Sequence, residues 1–183
     1  MVEIKALETE DLHGFLDFFD HRAFANDPDW DGCYCQTYLN SQPEWDGESD
    51  PKPILRQSAC DNISDGKMQG YLAYEGDKVV GWCAAGESNL FNHPDAEDRL
   101  ARVICFVVDE NFRGQGVANQ LLEFAIRDLK VKGFAEIEAR PAQAEDRSKE
   151  NYRGPWALFE KHGFLKYRDL GTEFGWLVRK NLD

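Results

Sequence analysis

The sequence predicts an α/β fold, a mixed sheet covered by helices, and three observations carry that reading. Apolar residues recur at alternate positions in some segments and at helical spacing in others, in the order β-α-α-β-β-β-α-β-α-β-β. The run Val103-Ile104-Cys105-Phe106-Val107-Val108 is apolar on both faces, as a central strand requires, and an amphipathic segment follows it. The chain of 183 residues, 42% apolar and 13% aromatic, is long enough to bury a sizeable core as one domain, residues 1–183.

Val2, Ile4 and Ala6 alternate with Glu3 and Lys5, a short strand. Thr9 is placed as the N-cap of a helix running to about Phe24, on the spacing of Leu12, Phe15, Leu16 and Phe19. Prolines punctuate residues 26–53, an aromatic-rich connection with Trp30, Tyr34, Tyr38 and Trp45 that reads as short turns. A second helix is expected from Pro53 to about Ser64, since proline suits a helix's first position. Tyr71–Tyr74 and Val79–Ala85 flank Glu75-Gly76-Asp77-Lys78, a hairpin signal. A strand from Ala101 to Val108 follows, then a helix from Gly116 to Lys132 whose stripe is Val117, Leu121, Leu122, Ala125, Ile126 and Leu129. Gly133 stops it. A strand over 134–139, a helix over 155–162 and strands over 164–167 and 174–178 complete the order.

Charge and composition exclude several classes. A net charge of −13 argues against nucleic acid, which requires basic patches, and against anionic membrane surfaces. Acidity serves solubility first, although it can also steer a cationic amine. No apolar stretch approaches the roughly 20 residues that span a bilayer, and residues 1–5 lack the features of a signal peptide, so the chain reads as cytoplasmic. Cys33 and Cys35 form a C-x-C pair without further ligands at zinc spacing, so no metal is expected; Cys83 and Cys105 read as small hydrophobes.

The informative unit is the strand ending at Val108, the loop from Asp109 to Arg113 and the helix opening at Gly116. Two glycines at a helix start expose backbone N–H groups, and the helix dipole adds positive potential, a setting for phosphate. The string G-x-x-x-x-G-K-[ST] of a P-loop does not occur. A dinucleotide fingerprint G-x-G-x-x-G lacks its third glycine, since Asn119 stands there, although Glu138 lies where a ribose-binding acid would. A cradle for the pyrophosphate of coenzyme A is the third reading.

Arg113-x-x-Gly116-x-Ala118 resembles the signature [QR]-x-x-G-x-[GA] of the GCN5-related N-acetyltransferase (GNAT) superfamily. Residues 107–116 are similar to its strand-to-helix crossing, and Tyr152 through Gly163-Phe164 to its second acyl-CoA segment, which ends in a Gly-Phe pair. The resemblance covers nearly the whole chain. It implies a mostly antiparallel central sheet and an acetyl-CoA-dependent N-acetyltransferase acting on a primary amine, with a small-molecule acceptor favoured and a homodimer left open. Backbone groups of Val107 and Val108 would then meet the pantetheine arm. Arg113, Gly114, Gln115, Gly116, Val117 and Ala118 would hold the pyrophosphate.

Direct attack of a neutral amine on the thioester needs a base, an oxyanion donor and an acid for the departing thiolate. The Val108 N–H is the natural donor. The family's usual acid is a tyrosine four residues before the Gly-Phe pair, and Phe159 stands there; Tyr152 is the substitute, with Tyr167 behind it. Glu87 is the candidate base, while Glu110 reads as a solvated loop acid and His93 and His162 as surface or capping residues, the latter as a cation against the helix dipole. Trp30 through Tyr38 resembles a C-Y-C stretch in some GNAT proteins, at the place where the family builds its acceptor wall; the same residues could equally cover the core. The competing class of function is a non-catalytic acyl-CoA-binding module.

Overall fold

A computed structural model describes residues 2–25, 31–44, 49–92, 97–142, 151–172 and 174–183. His93, Trp30 and Trp45 lie outside the described residues. Among the described residues, seven strands and four α-helices follow the expected order: β1 (Glu3–Ala6), α1 (Leu12–His21), α2 (Lys52–Ser64), β2 (Tyr71–Glu75), β3 (Lys78–Glu87), β4 (Leu100–Val108), α3 (Val117–Val131), β5 (Glu136–Ala139), α4 (Trp156–Lys161), β6 (Leu165–Asp169) and β7 (Trp176–Asn181). The strands form one sheet in the order β1-β2-β3-β4-β5-β7-β6. All neighbours are antiparallel except β4 and β5, which the crossover through α3 makes parallel.

Both faces of the sheet are covered. One carries α1, α2 and the 31–44 segment over Trp82, Ala84, Cys105 and Val107. The other carries α3 and α4 over Val80, Cys83, Val103 and Phe106. The helix ends differ slightly from expectation. Thr9–Asp11 forms a 3-10 turn instead of capping α1, with the Asp11 carboxylate accepting from the Glu8 N–H at 3.0 Å. Helix α1 stops at His21, where the Ala23 N–H reaches back to the Phe18 carbonyl at 2.9 Å, and Phe24 packs on Phe19 instead of extending the helix.

Helices α3 and α4 end alike. Gly133 takes φ 86°, the Phe134 N–H donates to the Leu129 carbonyl and the Gly133 N–H to the Lys130 carbonyl. Gly163 takes φ 78°, with the Phe164 and Gly163 N–H groups donating to Phe159 and Glu160. Only a residue without Cβ enters that left-handed turn freely. The Gly-Phe pair noted in the sequence is therefore a helix stop: Phe164 folds back edge-on to Phe159 with ring centroids 5.2 Å apart, the hydrophobic contact that accompanies such a cap. Phe159, fully buried, also packs on Phe106.

Charge is buried in the sheet. Glu138 on β5 accepts from Arg102 Nε on β4 at 3.0 Å and from Arg179 Nε on β7 at 2.7 Å, and Arg179 continues to Glu97 at 2.6 Å and Glu136 at 3.1 Å. Arg102 and Glu138 are 2% and 1% exposed. Removing one member of such a set strands the others without compensation. We expect Glu138→Ala to lower unfolding free energy by about 3–5 kcal/mol in denaturant titration, and a smaller loss than for an exposed glutamate would show that the ladder is dispensable.

The end of α4 is tied to the start of α3. Asn119 Oδ1 accepts from Lys161 Nζ at 2.8 Å, and His162 Nε2 lies 3.2 Å from the same oxygen. Burial holds the His162 imidazole below its ordinary value of 6.5, so it is not the dipole-complementing cation expected from its position. The unfolded chain takes up this proton first. His162 contributes its stability above the ordinary histidine value and loses it as the pH falls below that value. Stability measured between about pH 7 and about pH 5 should decline less steeply in His162→Gln than in the parent chain.

Candidate active site

The site begins where β4 and β5 part. Their pairing runs only from Leu100 opposite Glu136 to Val103 opposite Ala139, yet β4 continues to Val108 beside β3. Two local causes separate them. On β4 the register with β3 passes from Ala84 opposite Cys105 to Ala85 opposite Val103, so Ile104 is a bulge that bends the strand. On the chain after β5, Pro141 has no N–H to continue a ladder. That chain turns instead to residues 151–155: the Ala142 N–H donates to the Gly154 carbonyl at 2.9 Å.

The register decides which backbone groups face the opening. The Asp109 N–H donates to the Val80 carbonyl at 3.0 Å, a hydrogen-bonded pair, so the next pair, Gly81 and Val108, is not bonded to itself. Val108 therefore turns its N–H and C=O away from β3, toward the side β5 has left, and Phe106 does the same two residues earlier. Val107, expected to share this role, directs its backbone at Trp82 of β3 instead.

Beyond Val108 the loop is braced from within. The Asp109 side chain accepts from the Asn111 N–H at 2.9 Å, Arg113 Nε donates to the Val108 carbonyl at 3.0 Å, and Gln115 Nε2 donates to the Asn111 carbonyl at 2.7 Å. Arg113 and Gln115 thus shape the loop with their side chains. Gly114 and Gly116 take φ 74° and 81°, and a Cβ at either would meet nothing within 4 Å. The first turn of α3 closes with the Gln120 N–H on the Gly116 carbonyl at 3.0 Å. Among the described residues, the N–H groups from Gly114 through Asn119, those of Val117 and Ala118 included, donate to no backbone carbonyl. An open concavity of amides at the N-terminus of a 15-residue helix fits a diphosphate. Lys161, brought to Asn119 in this first turn, adds a cation that sequence distance concealed.

On the opposite face of the sheet, at the base of the parting, lies a cleft of about 210 Å³. Its lining includes Tyr38, Arg102, Ile104, Glu138, Arg140 and Tyr152. Tyr152 sits in the 3-10 turn Asn151–Arg153, and Gly154 packs so closely that an added Cβ would lie 3.3 Å from the Phe106 ring. The Tyr38 hydroxyl donates to the Tyr152 hydroxyl at 2.7 Å, with ring centroids 5.8 Å apart. Burial first, then this hydrogen bond, pushes the Tyr38 phenol well above its usual value.

Other expected residues fall elsewhere. Glu87 is exposed, opposite Ala101 on the α3-bearing face, and its N–H donates to Gln69 Oε1 at 3.1 Å. Strand alternation turns it away from the cleft. Tyr167 lies on the edge strand β6 under the Arg179 guanidinium, 3.9 Å from the ring centroid. Glu138, weighed as a ribose-binding acid, is held by two arginines inside the sheet. Of the Cys33-Tyr34-Cys35 stretch and its neighbours, Tyr38 reaches the cleft. Tyr34 is buried with its hydroxyl on Asp20 at 2.5 Å, and Cys35 accepts from Trp82 Nε1 at 3.2 Å. The Cys33 thiol is pushed up by its hydrogen bond with Cys35 and by burial, that of Cys35 chiefly by Cys105, and that of Cys83 by burial. Among the described residues, no three His, Cys, Asp or Glu side chains converge as a metal site, and no helix is long and apolar enough to cross a membrane.

Comparison with known proteins bears on this geometry. A model of the acetyltransferase (GNAT) family matches residues 30–164. No curated protein matches the chain in sequence. Among solved structures, an N-acetyltransferase from Staphylococcus aureus Mu50 superposes with TM-score 0.60 at 20% identity, covering 100% of this chain and 99% of that one. The PaiA N-acetyltransferase from Thermoplasma acidophilum, in complex with coenzyme A, gives 0.60 at 13% identity and 99% of both chains. The ribosomal-protein-S18-alanine N-acetyltransferase from Escherichia coli gives 0.53 at 16%, covering 100% of this chain and 95% of its own. At these identities the superpositions establish the shared fold, and the family match, which spans well over half the sequence, establishes the lineage. The chain belongs to the GNAT family of acetyltransferases.

Proposed function

We propose that this acetyltransferase moves the acetyl group of acetyl-CoA directly to a primary amine, and that the acceptor is a small molecule. The observation that carries the reading is the parting of β4 from β5, with amides of Phe106 and Val108 facing the gap and the α3 amide cradle at its mouth. The coenzyme A complex of the Thermoplasma relative supports the choice of cosubstrate. The cradle from Gly114 through Ala118 would hold the diphosphate, the Arg113 N–H, expected to share in it, being taken by the Glu110 carbonyl at 3.3 Å, and the arm would follow β4 toward Ile104. There the acceptor would enter from the opposite face through the cleft.

The amine attacks the thioester carbonyl, its nitrogen sheds a proton to water, the carbon–sulfur bond breaks, and the sulfur leaves as a thiolate that needs a proton. Tyr152 is the donor in this reading, because its hydroxyl borders the gap and Phe159 has none. Tyr38 is a positioning residue, fixing the Tyr152 hydroxyl through the 2.7 Å hydrogen bond. The Val108 N–H would face the developing oxyanion. Glu138 is already engaged by Arg102 and Arg179, so it is not assigned as the base, and the amine is read as entering neutral.

The acyl-CoA-binding-module reading is separated by titrating coenzyme A and then following thiol release over an amine panel. Binding without release above the uncatalysed rate, for every amine, would favour the module. Gly116→Val places a branched side chain at φ 81° and in the path of the diphosphate, with backbone strain of order 1–3 kcal/mol. Its coenzyme A dissociation constant should rise at least about tenfold, and unchanged affinity would remove the cradle. Tyr152→Phe should lower kcat by about tenfold to hundredfold with KM for acetyl-CoA nearly unchanged. Full turnover in that variant would retire Tyr152 as the acid.

A further inference from the structure

The chain is forced into an unfavourable conformation just ahead of Tyr38. Tyr34 and Cys35 take φ 44° and 53°, the one adjacent pair other than glycine with positive φ among the described residues. The Gln36 N–H closes on the Cys33 carbonyl at 2.9 Å, so 33–36 is a turn with both central residues left-handed. In that conformation a Cβ crowds the following carbonyl, and such turns ordinarily use glycine or asparagine. It persists only where the surroundings over-determine it. Here they do. The Tyr34 hydroxyl donates to Asp20 at 2.5 Å, and Asp20 is held in turn by Arg56 at 2.8 Å. Trp82 Nε1 donates to Cys35 Sγ at 3.2 Å. Gln36, fully buried, ties the turn to itself and to α2. Its Nε2 donates to the Tyr34 carbonyl at 2.8 Å, and its Oε1 accepts from Asn62 Nδ2 at 2.7 Å and from Ser58 Oγ at 3.2 Å.

Packing alone does not call for this arrangement. An apolar side chain of the same length would fill position 36 beneath α2 without burying an amide. A buried amide engaged at both ends rigidifies its surroundings and specifies one arrangement of them. The residue that needs a fixed place lies two positions on. After Tyr38 the chain is fastened again: the Asn92 N–H donates to the Tyr38 carbonyl at 2.8 Å and the Asn40 N–H to the Leu90 carbonyl at 2.9 Å. Tyr38 thus stands between two anchored points, and its hydroxyl reaches the Tyr152 hydroxyl at 2.7 Å in the cleft. Resting on the acetyl-transfer reading above, we propose that Gln36 is a positioning residue for that reaction. By locking the left-handed turn onto α2 it sets where the Tyr38 hydroxyl stands, and through it the Tyr152 hydroxyl.

The test crosses Gln36→Met with Tyr38→Phe in the full chain. Turnover of acetyl-CoA is measured with the fastest acceptor among free amino acids, diamines and aralkylamines, and coenzyme A affinity and melting temperature are recorded for each variant. Gln36→Met should lower kcat by about threefold to tenfold with coenzyme A affinity unchanged. In the Tyr38→Phe background the same substitution should lower kcat by less than about twofold, because the group it acts through is gone, while its loss of melting temperature persists. A general packing defect would multiply instead. Equal kcat losses in the two backgrounds therefore overturn the proposal, as does an unchanged kcat in Gln36→Met. If Gln36→Met does not fold, Asn62→Ala, which removes the 2.7 Å donor to Gln36 Oε1, is judged by the same criterion. A crystal structure of the folded variant reads the placement without any turnover. Separation of the Tyr38 and Tyr152 hydroxyls beyond about 3.5 Å is expected, and a retained 2.7 Å contact would sink the idea. Absence of coenzyme A binding, or of acetylation for every acceptor, sinks the acetyl-transfer reading instead, and the crystal structure then decides the placement of Tyr38 alone.

Discussion

The separation of two neighbouring strands is the constraint from which the site follows. A sheet satisfies its backbone by pairing, and a strand in its middle that loses one neighbour exposes main-chain donors and acceptors inside the molecule. Here β4 keeps β3 through Val108 while β5 leaves after Val103. The bulge at Ile104 turns the strand, and Pro141 prevents the neighbour from following. On the proposed reading, what would be a defect elsewhere serves as a main-chain recognition edge, where an extended ligand arm would take the place of the missing strand.

The remaining parts support that gap. The ladder Arg102–Glu138–Arg179 crosses β4, β5 and β7 just below the parting, so the sheet is held together electrostatically where its hydrogen bonding is about to stop. The turn at 151–155 closes the other side, anchored by Ala142 on one flank and by Gly154 against Phe106 on the other. The loop from Asp109 to Gln115 is braced by its own side chains and by turns that engage the Asn111, Phe112 and Arg113 amides, which leaves those from Gly114 onward without a backbone acceptor. The loop of unpaired amides and the cleft at Tyr38 and Tyr152 lie toward opposite faces of the sheet.

Much of this was legible in the sequence, and the exceptions share one cause. The order of the strands followed from apolar patterning, plain where one face is buried as in Val2, Ile4 and Ala6, while the bounds slipped where it is not: β6 is exposed throughout and β7 runs on to Asn181. The glycine loop ahead of α3 was legible because Gly114 and Gly116 are close in sequence and occupy backbone conformations that favour glycine. Tyr38 was visible as one aromatic among several, and nothing local set it apart from Tyr34, which is core. Its pairing with Tyr152 joins residues 114 positions apart. Glu87 was misplaced for the opposite reason: its position at a strand end was right, but the face it takes depends on register. The meaning of Phe159 came only with the helix cap, where it packs beneath Phe164. Pro141 and the doubly apolar Ile104-Cys105 pair were signals for the parting that periodicity alone did not use.

The chemistry proposed for this fold releases a free thiol at every turnover, beside a protein with several cysteines of its own. Disulfide exchange proceeds through the thiolate, so a thiol that resists ionisation exchanges slowly. Cys33, Cys35 and Cys83 all sit in surroundings that keep their protons on. Were the released thiol oxidised elsewhere to its disulfide, that disulfide would meet no ready thiolate at these three positions, and the packing around them doubles as protection against exchange.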